Sequence, residues 1–452
     1  MSDNSQDTIF ALSSGPPPAA IAVVRVSGPG ARFALETMLG RVPEPRRAVL
    51  ARVRDPQSGE VIDAGLALWF PGPQSETGED VAELQLHGGR AVVASVLAAL
   101  GTLEGLRLAE PGEFTRRAFA NGRLDLTEVE GLADLIYAET EAQRRQAYRQ
   151  LRGALKERAE TWRGRLVEAL ALVEARIDFA DEADVAGDLI APARQIAASL
   201  RDDIKATLAD ERRGERLREG FVVAIAGPPN AGKSSLLNRI ARREAAIVTP
   251  IPGTTRDVIE VHLNLEGLPV TLLDTAGIRD AEDPIEQEGV RRARARAAAA
   301  DLVLWVVDAA EAELPDNALS DPEGPPVWRI ENKIDLLDSD SQQSRVRNAI
   351  CGTVPISALT GAGLENLIAR LAAHVKTELR PAEAAVLTRE RHRAALRDAL
   401  TALDRATTVP ATQEEIIAEE LRLAARALAR LTGRVDVEDV LDVIFRDFCI
   451  GK

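Results

Sequence analysis

The 452-residue sequence has few of the features that mark secreted, membrane-spanning or single-strand-binding proteins. Its only cysteines are Cys351 and Cys449, too few for a disulfide framework, which favours a reducing compartment. Aromatic residues make up 3% of the chain and offer few platforms on which bases can stack. The first residues lack the basic and apolar blocks of a signal peptide, and no apolar run approaches about 18 residues. We therefore expect a cytoplasmic protein that does not cross a membrane.

The chain also lacks an excess of positive charge. It has 56 Lys and Arg against 71 Asp and Glu, a formal net charge of −15, which argues against a protein that coats polyanions. Any nucleic acid must then meet a local basic patch or arrive through a partner. One such stretch, Glu141–Arg165, holds eight Lys and Arg against three acidic residues. It is either a solvated helix face or a surface for RNA or a partner.

The length predicts about two to four domains, and the texture of the sequence changes along the chain. Residues 1–120 mix short apolar runs, at 21–26 and 65–70, with Gly and Pro and one predicted helix near 91–100, which indicates an α+β domain. Residues 121–218 and 379–452 have a helical pattern. We predict one helical domain in two pieces, with residues 219–378 inserted between them as an α/β domain.

Apolar runs recur in the inserted segment, at 221–226, 270–274 and 302–308, with weaker runs at 327–330 and 354–357. Runs of this kind that alternate with helices are typical of a parallel sheet covered on both faces. The predicted fold class is therefore a multidomain combination of α/β and α parts.

The first of these runs leads directly into Gly227-Pro-Pro-Asn-Ala-Gly-Lys-Ser234, which fits the phosphate-binding pattern G-x-x-x-x-G-K-[ST]. A strand before the motif and a helix after it are the context that the pattern requires. Its glycines let backbone amides surround the phosphates, Lys233 meets the β- and γ-phosphates, and the Ser234 hydroxyl takes a Mg²⁺ position. The motif predicts a P-loop nucleotide site.

Three further motifs follow in the order that a GTPase requires. Asp274-Thr-Ala-Gly277 closes the second run and places a carboxylate near the Mg²⁺. Asn332-Lys-Ile-Asp335 follows a later run, and an Asp there accepts from guanine N1–H and N2–H₂, which adenine cannot offer. Ser357-Ala-Leu359 is the usual backbone support for the guanine carbonyl, although many relatives have Lys or Arg at the position of Leu359. Together the four motifs predict a Ras-like GTPase domain.

The catalytic residues are less familiar. Ras-like switches have a water-orienting Gln after Asp-Thr-Ala-Gly, but this chain has Ile278, and an apolar side chain cannot align water. Arg256, in Pro252-Gly-Thr-Thr-Arg-Asp257, is the nearest candidate for an arginine finger and is equally suited to a structural ion pair. Another positive charge must replace the finger.

These features together resemble the MnmE (TrmE) family of bacterial tRNA-modification GTPases. The resemblance is carried by Asn230, the first-switch sequence Thr249-Pro-Ile-Pro-Gly-Thr-Thr255, Ile278 and the ending Cys449-Ile-Gly-Lys452, and it covers essentially the whole chain. It implies that K⁺ supplies the missing charge, bound by Asn230, Thr249, Ile251 and Thr254. It also implies that Thr255 joins Ser234 on Mg²⁺ and that Glu286 orients the attacking water; taken alone, Glu286 fits a solvated helix start as well.

The motifs and the family together imply a nucleotide site made of five segments of consecutive residues. Its members are Asn230, Ala231, Gly232, Lys233, Ser234, Ser235, Thr249, Pro250, Ile251, Pro252, Gly253, Thr254, Thr255, Asp274, Thr275, Ala276, Gly277, Asn332, Lys333, Ile334, Asp335, Ser357, Ala358 and Leu359. The catalytic candidates are Lys233 and Asp274, which belong to this set, and Glu286, which does not.

The resemblance further implies an amino-terminal domain that binds a tetrahydrofolate derivative, 5-formyl- or 5,10-methylene-, and that forms a homodimer. Its ligand contacts map onto Arg25, Glu83, Arg123 and Lys452, and Cys449 is the fourth catalytic candidate. No Rossmann fingerprint is present, so FAD must come from a partner; the family implies an FAD/NADH-dependent MnmG (GidA) protein in a heterotetramer, with tRNA as substrate.

The resulting hypothesis is a K⁺-activated GTPase that takes part in adding an aminomethyl or carboxymethylaminomethyl group to C5 of the tRNA wobble uridine. Two alternatives stay open from the sequence. A regulatory or ribosome-assembly GTPase needs the four nucleotide motifs but no folate pocket or terminal thiol. A stand-alone folate enzyme with an accessory GTPase needs no flavin-dependent partner.

Overall fold

The computed structural model describes residues 7–179, 188–210, 212–243, 260–274, 300–310, 324–338, 353–379 and 385–435, together with Phe448 and Gly451. The chain divides into two compact units. The first comprises Met1–Ala133, Gln150–Arg201 and Ala395–Lys452, and the second Asp134–Arg149 and Asp202–Ala394. The domain limits predicted at 120, 218 and 378 stay predictions.

The first unit contains a six-stranded sheet made of β1 (Thr8–Leu12), β2 (Ala19–Ser27), β3 (Val49–Arg54), β4 (Val61–Phe70), β5 (Val81–Gly88) and β6 (Leu106–Leu108). The strand order is β3-β4-β5-β2-β1-β6, antiparallel except for the β1–β6 pair. Helices α1 (Ala31–Leu39), α2 (Arg90–Gly101) and α3 (Glu113–Ala120) accompany it. Alternate strand residues such as Val24 and Leu84 pack with Leu35 and Val96 into one apolar core. The sheet and its helices confirm the predicted α+β fold class.

Helices make up most of the remaining chain outside the second sheet. They are α4 (Leu126–Tyr137), α5 (Glu141–Leu151), α6 (Ala154–Asp178), α7 (Ile190–Leu208) and α8 (Arg213–Glu219) and, later, α11 (Glu390–Thr408) and α12 (Glu414–Thr432). In the first unit α6 packs along α12, and this contact buries Trp162, Leu166, Leu421 and Leu428. Two distant stretches of sequence thus share one helical core. No helix in the described part of the chain is long and apolar enough to span a bilayer.

The basic stretch Glu141–Arg165 lies on α5 and α6, where acidic neighbours satisfy many of its cations. Arg144 and Arg145 both pair with Glu141, at 2.8 Å, and Lys156 Nζ lies 3.0 Å from Glu128 Oε2. These pairs favour the solvated helix face over a dedicated RNA surface.

The second unit contains a second six-stranded sheet with β7 (Phe221–Ala226), β8 (Glu260–Leu265), β9 (Leu268–Asp274), β10 (Leu302–Asp308), β11 (Val327–Asn332) and β12 (Thr353–Pro355). Its order is β12-β11-β10-β7-β9-β8, parallel except for the β8–β9 hairpin. Helices α9 (Lys233–Arg243) and α10 (Leu364–Leu379) contribute Leu236, Ile240, Leu367 and Leu371 to its core. The carboxyl ends of the parallel strands meet at one edge, which is where such sheets bind ligands.

Candidate functional site

The phosphate-binding loop is shaped by close backbone contacts that only glycine allows. Gly227 follows β7 with φ +141°, and an added Cβ would lie 2.1 Å from the carbonyl oxygen of Val306. Gly232 has φ +94°, and its Cβ would lie 2.3 Å from Asn332 Nδ2. Between them Asn230 also adopts a positive φ, of 64°. The loop is therefore held tightly against β10 and β11, with its exposed apex at Asn230.

Lys233 is folded back over this loop. Its ammonium donates to the carbonyl oxygens of Gly227, at 2.9 Å, and Pro228, at 2.8 Å. These hydrogen bonds hold a positive charge at the start of the loop, within the motif whose amides cradle phosphates.

The next residue joins the loop to the end of β9. The Ser234 hydroxyl donates to Asp274 Oδ2 at 2.8 Å, and Asp274 is 4% exposed. A hydroxyl and a carboxylate are hard oxygen donors of the kind that Mg²⁺ prefers. The donor set thus fits the ion that the sequence predicted here.

On the base side of the site, Asn332 joins two loops. Its Nδ2 donates to the Ala231 carbonyl at 2.7 Å, and its Oδ1 accepts from the Ala358 amide at 2.9 Å. The structure thereby brings together the first, third and fourth motifs; the two hydrogen bonds of Asn332 span 101 and 26 residues of sequence. Asn332 is 2% exposed, so both hydrogen bonds are shielded from water.

The two other polar residues of the third motif differ in their partners. Lys333 Nζ donates to Asp308 Oδ2 at 2.8 Å; this hydrogen bond, with one from the Ala310 amide, lowers the pKa of the Asp308 carboxyl. Asp335 Oδ1 is buried and accepts no hydrogen bond from any described residue. An orphaned carboxylate oxygen in this place suits the N1–H and N2–H₂ donors of guanine.

The fourth motif forms a self-supporting turn. Ser357 Oγ accepts from the Thr360 amide at 3.0 Å, and the Ser357 carbonyl accepts from Gly361 at 2.8 Å. Leu359 projects outward and is 77% exposed.

These residues line a cavity of about 430 Å³. The predicted members at its wall are Gly232, Ser235, Asn332, Lys333, Asp335, Ala358 and Leu359. Sequence reasoning missed Asn238, Arg239 and Arg242, which follow Ser235 at helical spacing on α9, and Leu336. Their spacing from the motif was the available signal.

Several predicted residues lie outside the described part of the chain. They are Thr249, Pro250, Ile251, Pro252, Gly253, Thr254, Thr255, Thr275, Ala276, Gly277, Glu286, Cys449 and Lys452. The roles assigned to them remain predictions.

In the first unit, two of the predicted folate residues face each other across neighbouring strands. Arg25 on β2 is in register with Glu83 on β5, and its Nε and Nη2 donate to Glu83 Oε1 at 3.0 and 2.8 Å. Arg25 Nη1 lies 2.6 Å from Glu76, and the guanidinium is 5.8 Å from the Phe114 ring centre. The carboxylate and cation expected to meet a ligand are therefore close together and paired with each other.

Of the other two predicted folate residues, Arg123 lies in the described part of the chain. The Arg123 side chain lies beside the loop at Gly78, where an added Cβ would be 3.3 Å from Arg123 Cγ. Near the end of the chain, a Cβ on Gly451 would lie 2.0 Å from the Leu12 carbonyl. Leu12 is the β1 residue next to Ala11, which is in register with Arg25. The described terminal glycine thus lies close to the strand position of Arg25.

Comparison with known proteins gives consistent matches along the chain. The family model described as the MnmE helical domain matches residues 126–449, and the one described as the GTP-binding protein TrmE N-terminus matches residues 8–123. A curated protein of Rhodopseudomonas palustris (strain ATCC BAA-98 / CGA009), the tRNA modification GTPase MnmE, is 57% identical over 99% of each chain. The same enzyme of strain BisB18 is 58% identical, again over 99% of each chain.

Among solved structures, the G domain of the T. maritima FeoB iron transporter is 26% identical and covers 34% of this chain and 98% of that one, with a TM-score of 0.24. The full-length identities to the curated relatives and the two matched family models agree with the four GTPase motifs of the sequence. The chain belongs to the MnmE family of tRNA modification GTPases.

Proposed function

We propose that this GTPase is activated by K⁺ and that its hydrolysis cycle opens and closes paired G domains. The motion gates the addition of an aminomethyl or carboxymethylaminomethyl group to C5 of the tRNA wobble uridine. A folate derivative supplies the one-carbon unit, and an FAD-dependent MnmG partner in a heterotetramer supplies the redox chemistry. The observation that supports the proposal is the cavity that Gly232 of the phosphate-binding loop lines together with Asn332 and Asp335 of the third motif. Beside the loop, the Ser234 hydroxyl donates to Asp274.

In this proposal the described residues bind and orient the nucleotide. When the nucleotide binds, the Lys233 ammonium donates hydrogen bonds to the β- and γ-phosphates, in place of or in addition to those that it donates to the Gly227 and Pro228 carbonyls. Ser234 and Asp274 hold the Mg²⁺ shell, with Thr255 as the further ligand. Asp335 Oδ1 gains the guanine donors that it lacks in the protein alone. Glu286 orients the attacking water.

The potassium site rests on Asn230. Its exposed side chain lies at the loop apex and offers an uncharged oxygen, which suits a hard monovalent cation. Thr249, Ile251 and Thr254 would complete the ligand set. When bound there, K⁺ supplies the positive charge that an arginine finger supplies elsewhere, and such a charge increases the hydrolysis rate by roughly 10³–10⁵.

The cation dependence of turnover tests this proposal. We expect the full-length chain to hydrolyse GTP much faster in K⁺ than in Na⁺ at equal ionic strength, and Asn230→Ala to remove most of that difference. Asn264→Ala is the control, because Asn264 is an exposed asparagine in the turn of the β8–β9 hairpin. Equal rates of the unaltered chain in the two salts would rule out activation by K⁺.

The folate part of the proposal is supported by the paired Arg25 and Glu83, whose side chains are 14% and 16% exposed, and by the Phe114 ring beside Arg25. Equilibrium dialysis against 5-formyl-tetrahydrofolate tests it. Arg25→Ala should weaken binding by about tenfold or more, the loss expected of a charge-assisted contact. Arg32→Ala, which removes an exposed helix pair with Glu36, should not. If the unaltered chain binds no folate, this part of the proposal fails while the GTPase part stands.

The modification itself is tested in cells. Mass analysis of wobble nucleosides from a deletion strain should show the unmodified uridine, and the unaltered gene should restore the modification. Asp274→Ala and Cys449→Ser should fail to do so. Normal nucleosides in the Cys449→Ser strain would remove that thiol from the proposed chemistry.

A further inference from the structure

The helix that begins at the phosphate-binding loop continues along the base side of the cavity. Ser235, Asn238, Arg239 and Arg242 recur on one face of α9, and all four line the same cavity as Asp335 and Leu359. The structure therefore places cationic side chains of α9 beside the turn that supports the guanine.

Arg239 contacts that turn directly. A Cβ added to Gly361 would lie 3.1 Å from Arg239 Nη2 and 3.6 Å from Nε, so the guanidinium packs against the Gly361 backbone. Gly361 has φ +92°, a conformation that favours glycine, and its amide is hydrogen-bonded to the Ser357 carbonyl. Arg239 thus backs the segment 357–361.

This turn brings no positive charge of its own to the base. Leu359 is apolar and 77% exposed. Arg239 is paired with no carboxylate among the described residues, whereas Arg243, one turn further along α9 and not lining the cavity, lies 3.3 Å from Glu365. The charge on Arg239 is therefore available to the cavity.

We propose that Arg239 is a positioning residue for guanine. Its planar guanidinium, on the helix that also carries Lys233, fixes the 357–361 turn over the base. It also supplies a positive charge beside this turn, where Leu359 is apolar. A positive charge there favours the 6-oxo group of guanine, which is a hydrogen-bond acceptor. The inference rests on guanine-nucleotide binding and is independent of activation by K⁺ and of folate.

The affinities for three nucleoside diphosphates that differ in the base distinguish this role from a purely structural one. GDP and IDP both carry the 6-oxo group, and 2-aminopurine riboside 5′-diphosphate lacks it. For the full-length chain, Arg239→Leu should raise the Kd for GDP and IDP by about tenfold and change that for the 2-aminopurine nucleotide by less than about twofold. Arg239→Lys should retain more affinity than Arg239→Leu, and Arg243→Leu is the matched loss of charge from the same helix.

A second substitution tests the compensation. In the Arg239→Leu background, Leu359→Arg should return the Kd for GDP to within about threefold of the unaltered chain. Equal losses for all three nucleotides, no loss for GDP, or a double variant as weak as Arg239→Leu would each overturn the proposal. In those cases the unaltered chain would still bind GDP, so the failure would be distinct from a failure of the nucleotide site.

Discussion

The Arg393 guanidinium donates from Nε to both carboxylate oxygens of Glu215, at 2.8 and 3.0 Å, and the two side chains are only 4% and 3% exposed. Glu215 lies on α8, directly before the first strand of the GTPase sheet, and Arg393 lies at the start of α11, after its last helix. Arg393 also donates to the Leu208 carbonyl at 3.0 Å and to Asp210. One buried ion pair therefore ties together the segments that precede and follow the inserted sheet.

Removing the cation from this pair should be costly. Arg393→Leu removes the buried cation that donates to both Glu215 oxygens and leaves only the more exposed Arg212, 3.3 Å from Glu215 Oε2. Loss of a buried partner typically lowers the free energy of unfolding by about 3–5 kcal/mol. Urea denaturation measures it. Arg430→Leu, which removes a half-exposed pair with Asp398, should cost less than about 1 kcal/mol. Adding Glu215→Leu to Arg393→Leu should restore part of the lost stability; a double variant less stable than Arg393→Leu would contradict this explanation.

Asn332 should affect both stability and nucleotide binding. Asn332→Ala leaves the Ala231 carbonyl and the Ala358 amide without their buried partner, which costs about 1–3 kcal/mol for each unsatisfied group. Because the two groups belong to the phosphate and base sides of one cavity, the Kd for GDP should rise by tenfold or more. Calorimetric titration with GDP checks this. Asn264→Ala should leave the Kd unchanged, and a similar loss there would show that the effect is not specific to the site.

The strands of the GTPase sheet could be predicted because each is a continuous apolar run bounded by a break. Phe221–Ala226 and Leu302–Asp308 both have the predicted bounds, because burial on both faces leaves no polar alternation within the run. The elements of the amino-terminal domain were harder to predict from the sequence. Its helix Glu113–Ala120 was not predicted, because it buries Glu113, Thr115 and Arg117 and so lacks an apolar stripe. Ion pairs with residues far away in the sequence stabilise this helix, and the local sequence pattern does not reveal those partners.

In the candidate site, too, some residues could be predicted from the sequence and others could not. Motif residues such as Lys233 and Asp335 were predictable because the chemistry of a phosphate or a guanine edge fixes their type and spacing. Arg239 was not, because its role depends on where the turn at Gly361 lies relative to α9. The direct Arg25–Glu83 pair likewise depends on the register of β2 with β5, which sequence does not reveal.

Gly227 should tolerate no side chain. Gly227→Ala places a methyl group 2.1 Å from the Val306 carbonyl at a φ of +141°, so either the loop or β10 must move. Backbone strain alone costs about 1–3 kcal/mol, and displacement of the loop should abolish GDP binding at micromolar concentrations. Gly15→Ala is the matched control, because nothing lies within 4 Å of the added atom. Its stability should stay within about 0.5 kcal/mol of the unaltered chain. Unchanged GDP binding by Gly227→Ala would show that the loop is not constrained as described.

Asp125 should make stability depend on pH with an unusual sign. Its Oδ1 caps α4 by accepting from the Glu128 amide at 2.9 Å and from the Thr127 hydroxyl at 2.8 Å, whereas Oδ2 is buried without a hydrogen bond from the described residues. Burial raises the pKa of the carboxyl, and the charge of Glu128 raises it further; together they outweigh the two hydrogen bonds and Lys156, 3.8 Å from Oδ2, which lower it. The folded state therefore binds this proton more tightly than the unfolded state.

A raised pKa contributes stability below the unfolded value, near 3.8, and that contribution is lost as the pH rises through the folded value. Asp125→Asn keeps the capping oxygen and removes the buried charge, so its free energy of unfolding relative to the unaltered chain should increase from pH 4 to pH 7. Asp55→Asn should show the opposite trend, because the amides of Ser58 and Gln57 lower the pKa of Asp55. The stabilisation by Asp55 is present above the unfolded value near 3.8 and is lost as the pH falls through the folded value. Urea denaturation across these pH values gives both differences. Parallel trends for the two variants would mean that the buried Oδ2 atom does not control the titration of Asp125.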